Sequence, residues 1–245
     1  MAENTSDATF VRETDLETTA PTLIEGLPGT GLVASIAADH ISTRLDLERY
    51  GTIRSEEFPP VASFSDGLVQ DTVRVYAGSD PDVMTLRSDV PIPSEAFRAL
   101  SDCVLEELAE EFRRVIFLAG APATSDEERG NVTGVGTTEA LRTELEENEI
   151  PIAEEPGAVG DVTGALLNAC YQADVPATLL LVQTSPKFPD PGAAKAVIET
   201  ALEPLVEFDI ETAALDEQAE RIRRQKQQIL QQQQEESAQS RSMFR

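Results

Sequence analysis

The sequence predicts an α/β domain, a mixed sheet covered by helices on both faces, followed by a polar helical tail. Three features predict it. Apolar runs of strand length alternate with amphipathic helical patterns along most of the chain, as βα units do around a covered sheet. Between residues 50 and 87 short β-like runs are joined by brief turns, which favours antiparallel pairing over crossovers. From Glu211 onward the apolar content thins to a single seam and then gives out.

The length of 245 residues suits one domain with a tail better than two domains. With 40% hydrophobic residues, 5% aromatic and no Trp, the core must be built from Val, Leu, Ile and Ala. Residues 1–20 are rich in Thr, Glu and Asp and are expected to be a flexible segment. The α/β domain is placed at 21–212, a helical tail with a weak coiled-coil pattern at 213–236, and a flexible segment at 237–245.

The segment Thr22–Leu27 reads as a strand that runs through Pro28-Gly29-Thr30-Gly31 into a helix over Leu32–Leu45, where Val33, Ile36, Ala37 and Ile41 recur at helical spacing. Strands follow at Tyr50–Phe58, Val61–Phe64, Leu68–Tyr76 and Val83–Arg87, with Asp66-Gly67 among the turns. Ser94–Arg113 places Phe97, Leu100, Val104, Leu108 and Phe112 on one face, with Ser94 as N-cap, and predicts a long amphipathic helix. Val115–Gly120 is a buried strand, and Ala121–Val135 reads as a polar loop before a helix at Thr138–Asn148. A short strand at Ile150–Ala153, a helix at Asp161–Ala173, a strand at Ala177–Gln183 and a helix at Pro191–Val206 complete the domain. In the tail Leu215, Ala219, Ile222 and Ile229 follow a four-three spacing, interrupted by Lys226, and form a candidate oligomerisation helix.

The formal charge is −26, from 45 acidic against 19 basic residues, and the lysines are Lys187, Lys195 and Lys226 alone. Self-repulsion of that size weakens a compact state at low ionic strength. The Debye length shrinks from ~30 Å at 0.01 M to ~3 Å at 1 M salt, so molar salt removes most of the penalty. The composition therefore points to a salt-rich cytoplasm. Nucleic acid and anionic membrane are poor partners for such a field, since both need a basic footprint. The N-terminus has neither the charged start nor the apolar run of a signal peptide, and no segment reaches transmembrane length, so the expected location is cytoplasmic.

Residues that could carry chemistry are few. Gly29-Thr30-Gly31-Leu32-Val33-Ala34 matches a dinucleotide fingerprint between a strand and a helix. Glu25 before the loop, the stiff Pro28 and the negative field all oppose a pyrophosphate, and glycines that permit a tight turn and close packing explain the pattern. His40 has no partner in sequence that would make it a base or ligand. Ser185-Pro-Lys187 resembles half of a nucleophile–lysine pair but precedes the turn Phe188-Pro-Asp-Pro191, which sets loop geometry. The acidic runs 126–128 and 144–149 lack the ligand spacing of a calcium loop, and Cys103 and Cys170 read as buried free thiols. No metal or cofactor is expected.

The run Glu25-Gly-Leu-Pro-Gly-Thr-Gly-Leu-Val-Ala34, with Ala37-Ala38 on the same helix, resembles the N-terminal signature of the PAC2 family, archaeal relatives of proteasome assembly chaperones. Leu118-Ala-Gly-Ala121, Gly157-Ala-Val-Gly-Asp-Val-Thr-Gly164 and Pro189-Asp-Pro-Gly-Ala-Ala194 agree with it, over roughly residues 20–215. The resemblance implies a three-layer α/β/α sandwich of the phosphorylase/hydrolase-like kind, no catalytic centre, and a homo-oligomer, a trimer or larger. It makes Glu25, Gly26, Pro28, Gly29 and Gly31 a structural signature loop. Family members bind proteasome subunits, and some archaeal members end in a hydrophobic–tyrosine–any-residue tripeptide that docks between α-subunits of the 20S core. Met243-Phe244-Arg245 resembles that tripeptide with Phe in place of Tyr, which forgoes a hydrogen bond worth ~0.5–1.5 kcal/mol net. The implied partner is the 20S core or its α-subunits. A nucleotide- or nucleoside-binding enzyme using the Gly26–Gly31 loop, and a self-assembling scaffold held by its tail helices, are the alternatives.

Overall fold

The structure is a computed structural model that describes residues 7–16 and 19–225. The strands are β1 Ala8–Arg12, β2 Thr22–Gly26, β3 Glu48–Ser55, β4 Ser63–Ser65, β5 Leu68–Gln70, β6 Val73–Ser79, β7 Asp82–Ser88, β8 Arg114–Pro122, β9 Val132–Gly136 and β10 Ala177–Thr184. The helices are α1 Val33–Arg44, α2 Phe97–Cys103, α3 Glu139–Glu147, α4 Asp161–Gln172, α5 Pro191–Val197 and α6 Glu203–Val206, and a further helix covers 213–225. Eight strands form one mixed sheet in the order β1-β3-β6-β7-β2-β8-β10-β9. Its centre, β7-β2-β8-β10, is parallel, while β1-β3-β6-β7 and β9-β10 are antiparallel. This is the mixed, two-sided sheet that the sequence predicts.

Because successive strand residues face opposite sides, each central strand feeds two cores. Leu23, Phe117 and Leu179 join α2 and α4 on one face, with Leu100, Leu108, Leu166 and Cys170. Ile24, Ile116 and Leu180 join α1 and α5 on the other, with Ile41, Val197, Leu202 and Leu145 of α3. The largest fully buried side chains are Tyr50 and Phe117, and most of the interior is aliphatic, as the scarcity of aromatics requires.

Several elements differ from the sequence expectation. Residues 8–12, within the segment expected to be flexible, pair antiparallel with β3 as an edge strand. Phe10 lies 5.8 Å from the Tyr50 ring and Arg12 stacks over that ring at 4.9 Å, so long-range partners supply the order that local composition lacks. The expected loop 121–135 gives way from Val132 to strand β9, short and glycine-broken, which pairs with β10. The expected strands at 61–76 divide into a separate hairpin, β4-β5, and β6. Ile150–Ala153 contributes only a bridge from Ile152 to Gly134.

The helix expected over 94–113 begins as a 3₁₀ turn, has Pro93 rather than Ser94 at its cap position, and widens to a π-turn at Val104–Leu108. A second π-turn, Ile198–Leu202, separates α5 from α6. Pro204 explains the second one: it lacks an N–H, and its ring would strike the carbonyl four residues back, so the helix loosens ahead of it.

Candidate functional site

The loop after β2 is built by close packing. A Cβ on Gly26 would lie 2.2 Å from the Cβ of Ala38, and one on Gly120 would lie 2.2 Å from the Thr30 carbonyl oxygen. Gly31 has φ +67°, a left-handed conformation, and a Cβ there would meet Thr184 Oγ1 at 2.3 Å. The loop backbone thus rests directly on the ends of β8 and β10, and the glycine pattern is accounted for by packing. Pro28 and Gly29 lie at the loop's outer side, where a Cβ on Gly29 would meet nothing within 4 Å.

Glu25 sits fully buried beneath this loop. Its carboxyl group accepts a hydrogen bond from Leu27 N at 2.9 Å and one from Thr163 Oγ1 at 3.3 Å. Burial pushes its pKa up to about 8, against the opposing effect of the Leu27, Leu118 and Thr163 donors. At neutral pH the side chain is a protonated structural acid that ties β2 to the first turn of α4.

A pH dependence follows, and its sign is fixed by the direction of the shift. The folded protein holds a proton that the unfolded chain releases above pH 4.5, so stability declines as pH rises from 4.5 to about 8. Glu25→Gln, which keeps an acceptor and a donor without charge, should equal the parent at pH 4.5 and exceed it above pH 8 by about 4 kcal/mol. Thermal unfolding at both pH values, at fixed molar salt, reads that difference.

A second centre lies at the start of α5. Asp190 is 3% exposed and its carboxylate accepts five hydrogen bonds. The donors are Arg129 Nε at 3.0 Å and Nη2 at 2.7 Å, Thr184 Oγ1 at 3.0 Å, Ser185 N at 3.0 Å and Ala193 N at 3.2 Å. Burial alone would raise its pKa, but Ser185 N–H, Arg129 and Ala193 N–H outweigh it and hold the carboxyl below its usual range. Its own N–H donates to the Gly31 carbonyl at 2.9 Å, which joins this centre to the glycine loop.

The tail helix seats on the same centre. A cavity of about 230 Å³ is lined by Arg129, Phe188, Asp190, Ala219, Ile222 and Arg223, among others. Leu215 is 3% exposed and packs in the core with α5, so this candidate oligomerisation residue is committed to its own subunit. Ala219 and Ile222 are half-buried against the cavity, and Ile229 lies outside the described residues. Lys195 Nζ reaches Asp216 at 2.6 Å, and His40 Nε2 meets the Glu211 carbonyl at 2.8 Å. His40 therefore anchors the segment leading to the tail. The Asp190–Arg129 pair was not singled out in the sequence, although Asp190 stands in the Pro-Asp-Pro run.

The other candidates occupy ordinary positions. Cys103 and Cys170 are buried and free, and burial raises their thiols to about 12 and about 11. Among the described residues no group of three or more His, Cys, Asp or Glu could hold a metal ion, and no helix is long and apolar enough to cross a membrane. Met243, Phe244 and Arg245 lie outside the described residues.

Comparison with known proteins places these features in a wider set. The PAC2 family model matches residues 23–230. The chain is 27% identical over 235 residues to an uncharacterized protein of Methanocaldococcus jannaschii, covering 96% of each. Its structure matches the crystal structure of Pyrococcus furiosus PbaA, an archaeal homolog of proteasome-assembly chaperone, with TM-score 0.81 and 25% identity over 97% of each chain. It matches PbaB of the same organism, an archaeal proteasome activator, with TM-score 0.78 and 24% identity over 94% of this chain and 99% of that one, a likeness of fold.

Proposed function

We propose, from the premise that this chain belongs to the PAC2 family, that it is a non-enzymatic protein-binding factor of the assembly-chaperone or activator type. It docks on the 20S proteasome core or its α-subunits through Met243-Phe244-Arg245, acts as a homo-oligomer, and works in a salt-rich cytoplasm. The observation that carries this reading is the seat of the tail. The Pro-Asp-Pro turn lines one cavity with Ala219 and Ile222 of the helix over 213–225, Asp190 in that turn donates its N–H to Gly31 of the signature loop, and His40 holds Glu211 just before the helix, from which the sequence continues to the tripeptide. The likeness to PbaA over 97% of each chain supports the choice of partner.

The mechanism is docking by apolar insertion. The Met243 and Phe244 side chains fill a cleft on the ring, and the terminal carboxylate pairs with a cation there. Several tails on one oligomer raise the effective concentration of each after the first has bound, provided their spacing matches the ring. Co-sedimentation with the 20S core in molar salt tests this directly. The full chain should be retained and the chain lacking Met243–Arg245 should not; equal retention of the two removes the docking mechanism.

A further inference from the structure

Among the described residues two apolar features stand exposed, a knob and a trough. The knob is the β4-β5 hairpin, whose Asp66-Gly67 turn has φ +52° and +80°, the two-residue geometry that aspartate–glycine favours. Phe64 stands opposite Val69 in register, so both project from one face of the ribbon, and they are 78% and 77% exposed. Leu68 pairs with Ser65 and lies on the reverse face. A ribbon of two three-residue strands has little stability of its own, and of its three bare apolar side chains, Leu68 being 73% exposed on the reverse face, Phe64 and Val69 share one face and together call for a cover.

The trough lies at the other end of the sheet. On the face that carries α2 and α4, the floor over β10 and β9 is formed by Leu179, Leu181 and Val135, and α4 makes one wall with Leu167 and Tyr171. Sheets with parallel centres are normally covered on both faces, yet here the cover stops at α4 and leaves a groove of about 630 Å³. Tyr171 is 64% exposed on its rim. Glu155 supplies the only formal charge of the lining, a conspicuous neutrality on a chain of net charge −26.

We propose that the Phe64–Val69 face of one subunit's hairpin inserts into the α4/β9/β10 trough of a second copy of this chain. Three observations select a second copy as occupant. The hairpin joins β3 to β6, and β6 lies four strand positions from β10, about 19 Å at ordinary spacing, so knob and trough sit on different parts of the sheet. Both are bare among the described residues, so neither covers the other. The formal charges there are few, Asp66 at the hairpin tip and Glu155 in the trough lining, which lets two strongly acidic copies approach with less repulsion than elsewhere. A knob and a trough on different surfaces make a head-to-tail contact, which closes into a ring or extends as a filament, never a two-fold pair through this contact alone. The inference deepens the homo-oligomer of the proposed function and rests on residues that play no part in docking.

Mass measurement on the full chain in molar potassium chloride, with no proteasome present, tests it. The parent should run as a multiple of its 26.5 kDa chain. Phe64→Ser/Val69→Ser (knob) and Val135→Asp/Tyr171→Glu (trough) should each run as one chain with unchanged circular dichroism, and Leu68→Ser should keep the parent mass. Mixing the knob and trough variants should give a pair of chains and nothing larger, because one knob and one trough survive between them. Should either double variant lose its fold, Phe64→Lys or Tyr171→Lys alone takes its place. A monomeric parent, parental mass in the knob or trough variants, or no pairing on mixing overturns the proposal. Parental mass in those variants would assign assembly to the tail helix instead. Because the core particle is absent, failure here leaves the docking experiment unaffected, and a failed docking experiment leaves this one intact.

Discussion

Replacing Asp190 by Ala is expected to lower the unfolding free energy by about 4 kcal/mol, the loss typical of removing one partner from a buried ion pair. Arg129 is 36% exposed on its side chain and can recover some hydration, which moderates the cost. Thr184 is fully buried and loses its acceptor outright, and the Ser185 and Ala193 amides face the vacated position. Loss of the α5 cap alone is worth about 1 kcal/mol. For a chain of this size a deficit of about 4 kcal/mol corresponds to a fall of roughly 10 °C in the unfolding midpoint, read by circular dichroism. The sign of the pH dependence is an independent check. A carboxyl held below its ordinary pKa contributes stability above that value and loses it as pH falls through the folded pKa, so parent and Asp190→Asn should converge in acid. Convergence at high pH instead would mean that the carboxylate is not the stabilising form.

That Asp190 rather than a glycine emerges as the centre of the site shows what a linear sequence exposes and what it conceals. Glu25 through Gly31 could be read because the constraint is local: a strand must turn within a few residues, and glycine is the residue that permits it. The central strands were legible for a similar reason, since Val115–Gly120 and Ala177–Gln183 are apolar on both faces and only a covered sheet accepts such runs. Asp190 and Arg129 are 61 residues apart, and no spacing rule connects them. The same holds for Phe10, which is ordered by Tyr50, and for Leu215, whose seam position in a tail is indistinguishable by pattern from a core position until α5 lies beside it. β9 was concealed differently: Gly134 and Gly136 depress its strand propensity, yet a Cβ at either would strike Leu145 or the start of α3, so packing demanded them. Local turns and two-faced strands were readable, whereas pairings set by the third dimension were not.

The substitution with the greatest expected effect on docking is Phe244→Ala. Under the proposed mechanism the ring passes from water into an apolar cleft, and truncating a buried Phe costs about 3 kcal/mol, a factor of about 10² for a single tail. In an oligomer engaging two or more tails the per-tail losses multiply, so a synthetic C-terminal peptide should lose about 10² in affinity while the intact chain should lose retention on the 20S core altogether. Phe244→Tyr should act in the opposite direction. Restoring the hydroxyl of the family tripeptide adds a hydrogen bond of about 0.5–1.5 kcal/mol, a tightening of roughly 2- to 12-fold for the peptide. Fluorescence anisotropy of labelled peptides reads the single-tail values, and co-sedimentation of the full chain reads their product. Salt separates the two halves of the mechanism. The carboxylate–cation pair is screened at molar ionic strength, whereas apolar insertion is not weakened by it, so in molar salt the contribution of Phe244 should dominate that of the terminal charge. If amidating the peptide's C-terminus costs more in molar salt than removing the Phe244 ring, insertion is not the source of affinity.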